Sequence, residues 1–145
     1  MFTIDGLLND VKTTVETVTE IKRVSWPPPE TAYPNDLWAY LEWGPVNIEQ
    51  ASLEVGVHTI TITVCKPMRG NLAASTGEYA SVVSAALAVH RAFYSNTVID
   101  GEAALSSPVV ISKPFLLTYA EARQVACTVT LQCTTGEEVS HLVVD

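Results

Sequence analysis

The sequence predicts an α+β domain, a mainly antiparallel sheet of about four strands with two helices packed on one face. Three observations predict it. Two stretches repeat apolar residues at spacings of three and four, the period of a helix with one buried stripe. Two others alternate apolar residues with threonine or glutamine, the period of a strand with one buried face. Proline and glycine punctuate the rest, giving the order helix, two strands, helix, two strands. One-sided strands need a sheet covered on one face only, and two amphipathic helices supply that cover.

The first helix sets Ile4, Leu7, Leu8, Val11, Val15, Val18 and Ile21 on one stripe, with Thr, Glu and Lys between them. Its repeated Thr and Val lower intrinsic helix propensity, so docking on a larger surface must stabilise it. It is expected to stop before Trp26, because Pro27, Pro28 and Pro29 remove three backbone donors and push their predecessors into extended conformations. Ser25 to Asp36, with Pro34, then form a stiff connector.

The run LWAYLEW, Leu37 to Trp43, reads as a strand ended by Gly44-Pro45. Its partner is VHTITITVC, Val57 to Cys65. There His58, Ile60, Ile62 and Val64 face one way and Thr59, Thr61 and Thr63 the other. Lys66-Pro67 ends that strand, and a long mobile loop is expected at about 66–77. Glu78 to Tyr94 gives the second helix, with Val82, Ala85, Ala86, Val89 and Phe93 on its stripe. The small residues Ala80, Ser81, Ser84, Ala85 and Ala88 would let it approach a sheet closely.

Asp100-Gly101 signals a turn, and VVISK between Pro108 and Pro114 precedes FLLTY, Phe115 to Tyr119, read as an edge strand. The last strand, Val125 to Cys133, alternates Val125, Cys127, Val129, Leu131 and Cys133 with Ala126, Thr128, Thr130 and Gln132. Thr135-Gly136 turns into a short C-terminal tail at about 137–145, where Leu142, Val143 and Val144 are available to dock on this subunit or another. Residues 1–145 are thus read as one domain, a size that buries a proper core without disulfides or metal.

Composition narrows the function classes. Eight Lys+Arg against sixteen Asp+Glu give a net charge of −8, which leaves no general basic footprint for gripping phosphates. The same acidity suits a surface past which DNA slides without sticking. Hydrophobic residues make up 48% and charged residues 17%, so either the core is large or partners cover part of the surface. Three cysteines without CxxC spacing suit a reducing compartment. The N-terminal stretch lacks the basic-then-apolar pattern of a signal peptide, and no run approaches the roughly 18 apolar residues of a membrane span, so an intracellular protein with no membrane partner is expected.

No catalytic, cofactor-binding or metal residue is predicted. His58, His90 and His141 fall on a strand, a helix and the tail without a second ligand at metal spacing, and there is no HExxH, GxSxG, GxGxxG or GxxxxGK[ST]. Cys127 and Cys133 read as small hydrophobes, and Cys65 is left open as a neighbour of either across the sheet. Asp36, Glu42, Asp100 and Glu102 show no spacing that singles out an acid–base pair. What stands out is interface material: Trp26 beside three prolines, Trp38 and Trp43 in the first strand, and Met68, Arg69, Asn71 and Leu72 in the loop. Trp38 or Tyr40 as core, with Trp26 covering a helix end, is the simpler reading of at least one of these aromatics.

Across nearly the whole chain, the order of an amphipathic helix, the pair LWAYLEW and VHTITITVC, a long loop, a helix and a final pair including VACTVTLQC resembles the tail terminator (tail completion) proteins of long-tailed bacteriophages. The resemblance implies a non-enzymatic structural virion protein of the tail or neck, assembled in the host cytoplasm. Its copies would form a hexameric ring that caps the tail tube protein and meets the head-tail connector protein. DNA would pass through the lumen without specific binding, and the loop at Met68 to Leu72 would contribute to ring or tube contacts. Neck and head-completion proteins of the same viruses are the near alternative. A different alternative is a monomeric ligand-binding or enzymatic domain with a pocket near Trp38 and Trp43.

Overall fold

The computed structural model describes residues 4–50, 55–68, 70, 76–94, 98–99, 103–105 and 110–135. Helix α1 spans Ile4–Glu16 and buries Leu7, Leu8, Val11 and Val15 completely. It ends earlier than its apolar stripe. Thr13 and Thr14 turn their hydroxyls back onto the carbonyls of Asn9 and Asp10, and Thr17 onto that of Thr14, a habit that competes with helix propagation. The backbone then tightens: the N–H groups of Thr17, Val18 and Ile21 donate to carbonyls three residues back. Val18 and Ile21 stay buried because the tightened turns keep them over the same core.

A short strand unseen in the sequence follows. β1, Arg23–Ser25, pairs in parallel with β2, Trp38–Gln50. β2 does not end at Gly44-Pro45. Gly44 takes φ +119, a conformation open to glycine, and the register with β3, Val55–Pro67, shifts between Trp43 and Val46 before pairing resumes. Pro45 is tolerated because β1 reaches only Trp38–Tyr40, which leaves the outer edge of β2 unpaired there among the described residues.

Helix α2, Thr76–Tyr94, is followed by β4, Val98–Ile99, and β5, Ala103–Leu105, which pair antiparallel on either side of the predicted turn. β6, Val110–Ile111, β7, Phe115–Tyr119, and β8, Ala122–Thr135, complete the sheet. β8 is its spine. One edge pairs antiparallel with β3 from Gln124 to Thr134, and the other is occupied in relay by β7, β6 and β5. Ser112 seals the step between β6 and β7: its N–H donates to the Thr128 carbonyl at 2.9 Å and its Oγ accepts from the Thr128 N–H at 2.9 Å.

The sheet order is β1-β2-β3-β8-β5-β4, with β6 and β7 also on β8. This corrects the expected strand number, since among the described residues there are eight strands and not about four; the sheet is mainly antiparallel, with the β1–β2 pair parallel. The α+β class stands. Ala39, Leu41, Ile60, Ile62, Val64, Val125, Cys127, Val129 and Leu131 form the helix-side face, buried against α1 and the Val82, Ala85, Ala86, Val89 and Phe93 stripe of α2. No described helix is long and apolar enough to cross a membrane.

Candidate functional site

The opposite face divides in two. At one end Trp38, Tyr40, Cys65 and Ala126 form a second buried cluster, edged by Ala32, Tyr33, Leu117 and Tyr119. The rings of Tyr33 and Tyr119 meet Trp38 edge-on at 5.3 and 5.2 Å between centroids, an arrangement the ring quadrupoles favour. The proline-rich connector closes this cluster, with Tyr33 packed from it and the Tyr119 hydroxyl donating to the Pro29 carbonyl. Trp38 Nε1 donates to Gln124 Oε1 at 3.2 Å, so both buried polar groups are satisfied. Burial raises the Tyr40 hydroxyl to about 12, keeping it a neutral hydrogen-bonding group. Beyond the cluster, Glu42 is exposed and Thr59, Thr61, Thr128 and Thr130 are half-buried.

The aromatic candidates therefore separate. Trp38 is fully buried inside its own chain and offers no surface. Trp26 is half-buried against the helix-side core. Trp43 lies on the helix-side face, five residues along the strand from Trp38, and is 41% exposed. A single pocket built from Trp38 and Trp43 is thus not formed, because an odd spacing on a strand sends the two rings through opposite faces. Met68 is half-buried against the main core. Arg69, Asn71 and Leu72 lie outside the described residues, as does the tail at 137–145. The expected loop at 66–77 is shortened at both ends, since Lys66 and Pro67 belong to β3 and Thr76 and Gly77 to α2.

His58 is buried and accepts at Nδ1 from Trp43 Nε1 at 3.1 Å, with the two rings stacked 6.0 Å apart. Burial lowers its pKa, which favours the neutral imidazole that this hydrogen bond requires. All three cysteines are reduced and buried. Cys65 lies on the face opposite Cys127 and Cys133, so the sheet stands between them. Burial pushes Cys65 and Cys133 up to about 12, where the thiol is protonated and a poor nucleophile. Asp36 pairs with Arg23 at 3.3 Å, and Arg23 also stands over the Tyr33 ring. His141, Asp100 and Glu102 are outside the described residues. Among the described residues no three His, Cys, Asp or Glu side chains gather as a metal site would need.

The open features are surfaces that sequence reasoning passed over. Leu87, Val110, Phe115 and Leu116 are all exposed, Val110 by 61%. Adjacent apolar residues in FLLTY carried a signal, since Phe115 and Leu116 cannot face the same side of one strand. The outer side of α2 carries a groove of 440 Å³ lined by Tyr79, Ala80, Val83, Ser84, Leu87 and Arg91. It adjoins a cleft of 580 Å³ holding Lys22, Lys66, Glu20 and Asp36, with Ala80 and Ser84 common to both.

Neither a family model nor a curated protein matches the sequence. The fold does match: a chain from the virion of a native gene transfer agent (GTA) particle superimposes with a TM-score of 0.50 at 16% identity, over 92% of this chain and 99% of that one. At that identity the likeness establishes a shared fold.

Proposed function

We propose that this chain is a structural virion protein, a tail terminator whose copies close into a ring, cap the tail tube and join it to the head connector. One observation carries the reading: the fold is shared almost end to end with a chain of a virion particle, with no insertion large enough to hold a separate catalytic domain. Two others support it. His58 and the three thiols are buried, and burial favours their neutral forms, as in structural groups. A net charge of −8 would let DNA traverse a ring without being gripped. The ring needs chemistry at no residue, only surfaces, and the Met68 to Leu72 segment is assigned to ring or tube contact.

Negative-stain images of the purified chain, alone and with tail tubes, test this. Six-fold rings seated on tube ends are the expected result. Rings that bind the head connector and ignore tubes would move the protein to the neck. A monomer under both conditions, by native mass as well as by imaging, would overturn the proposal. Arg69→Glu combined with Leu72→Ala is expected to abolish tube capping while leaving the circular dichroism spectrum unchanged.

A further inference from the structure

Lys22 and Lys66 line one cleft of 580 Å³, formed where the chain enters β1, where the connector enters β2 and where α2 packs on β3. Lys22 Nζ donates to the Thr19 carbonyl at 3.3 Å, and Lys66 Nζ to Ser81 Oγ at 3.5 Å. Two carboxylates share the cleft, but each is engaged elsewhere: Glu20 accepts from Ser84 Oγ at 3.3 Å, and Asp36 pairs with Arg23. Neither lysine forms an ion pair among the described residues. Two ammonium groups bordering one open cleft suit an incoming carboxylate. With eight basic residues against sixteen acidic, copies of this chain repel one another at long range, so a contact between them needs a local cationic site.

The acid that matches the cleft lies across the sheet from it. The described acidic residues before β3 stand on α1, the connector or β2, the elements of the cleft side. Glu78 is buried in the first turn of α2. Glu121 alone among the described acids belongs to the opposite edge, where β7 pairs with β8. It is exposed at the hairpin tip between Ala120 and Ala122, whose small side chains would not obstruct entry into a cleft, and it too forms no ion pair among the described residues. The tip is already ordered: Tyr119 packs edge-on against Trp38 and its hydroxyl donates to the Pro29 carbonyl. A preordered tip loses little freedom on docking. Apolar surface follows the charge on both sides. Leu116, 45% exposed, lies further along β7 on the helix side, in register with Val125, and the groove with Val83 and Leu87 adjoins the cleft.

We propose that copies of this chain associate head to tail, the β7–β8 tip of one seated in the cleft of the next, with Glu121 between Lys22 and Lys66. This contact rests on the ring reading above and supplies its joint. The two surfaces differ and lie at opposite edges of the sheet, so every copy offers one tip and one cleft. A contact of that kind closes into a ring when its rotation permits.

The test is a charge exchange read by analytical ultracentrifugation of the full chain, with no tail tubes present. Glu121→Lys is one variant and Lys22→Glu with Lys66→Glu is the other. Each alone is expected to be monomeric at a concentration where the wild type assembles, with its circular dichroism spectrum intact. An equimolar mixture is expected to reassemble, because every tip then finds a cleft of opposite charge on the other variant. Wild-type assembly by either variant alone, or a mixture that stays monomeric, overturns the contact and leaves the ring reading intact. A wild type that is monomeric here also overturns the contact, whereas assemblies that obey the charge exchange but ignore tube ends overturn the tail role and leave the joint standing. For a variant that loses its spectrum, carbodiimide coupling of the wild type decides. An amide joining Glu121 to Lys22 or Lys66 is expected in the cross-linked dimers, and dimers without it overturn the contact.

Discussion

The two faces of the sheet bury side chains by different means. The helix-side face is aliphatic, extends along β2, β3 and β8, and is covered by α1 and α2. The other face is dry only where the connector crosses it. There it needs aromatic rings, an indole hydrogen bond to Gln124 and a tyrosine tied to Pro29 to seal a small area. A helix brings a continuous stripe of apolar side chains, whereas a proline-rich strand of chain brings few, so large rigid rings have to fill the gap. The first face is general packing and the second is a set of specific contacts.

That contrast can be broken in order of expected effect. Ile62→Ala, at the centre of the aliphatic face, should cost about 3–5 kcal/mol in urea unfolding through lost burial and a cavity that rigid neighbours cannot fill. A loss below about 1 kcal/mol would mean the helices close over the gap. Trp38→Phe keeps a ring but strands the buried Gln124 amide, and about 1–3 kcal/mol should go with it. If Trp38→Phe with Gln124→Leu restores most of the loss, the specific hydrogen bond is what that cluster depends on.

Smaller effects sharpen the comparison. The native pKa of His58 lies below its unfolded value near 6.5, so the unfolded chain binds more protons just below that pH. Stability is complete above about pH 6.5 and falls as the pH drops toward the native pKa. Trp43 fluorescence should report the change, and His58→Gln should flatten that part of the profile. Least of all, Thr61→Val on the open part of the other face should shift stability by no more than about 0.5 kcal/mol. If the same change alters ring formation, the open threonine face is part of a subunit contact.

Much of this was legible in the sequence. The phase of β3 and β8 followed from alternation: Ile60, Ile62, Val64, Val129 and Leu131 are all buried on the helix-side face, and His58 lies with them. Both helices were located by the spacing of their stripes. The short strands were not, because β1, β4, β5 and β6 are two or three residues long and carry no period of their own. The β7–β8 hairpin was hidden as well. Its two turn residues are Ala120 and Glu121 at φ 47 and 72, where glycine or asparagine would have announced the turn.

The sequence by itself therefore determined the class of fold, the inward set of each long element and the acidic character that argues against phosphate binding. Those follow from local period and from composition, which every folded arrangement must respect. Only the tertiary structure decided that Trp38 is core while Trp43 is surface, that three strands share one edge of β8, and that Lys22 and Lys66 line one cleft. Trp38 and Gln124 meet across 86 residues of chain. Such pairings are chosen by the geometry of the assembled sheet, for which neighbouring residues carry no signal.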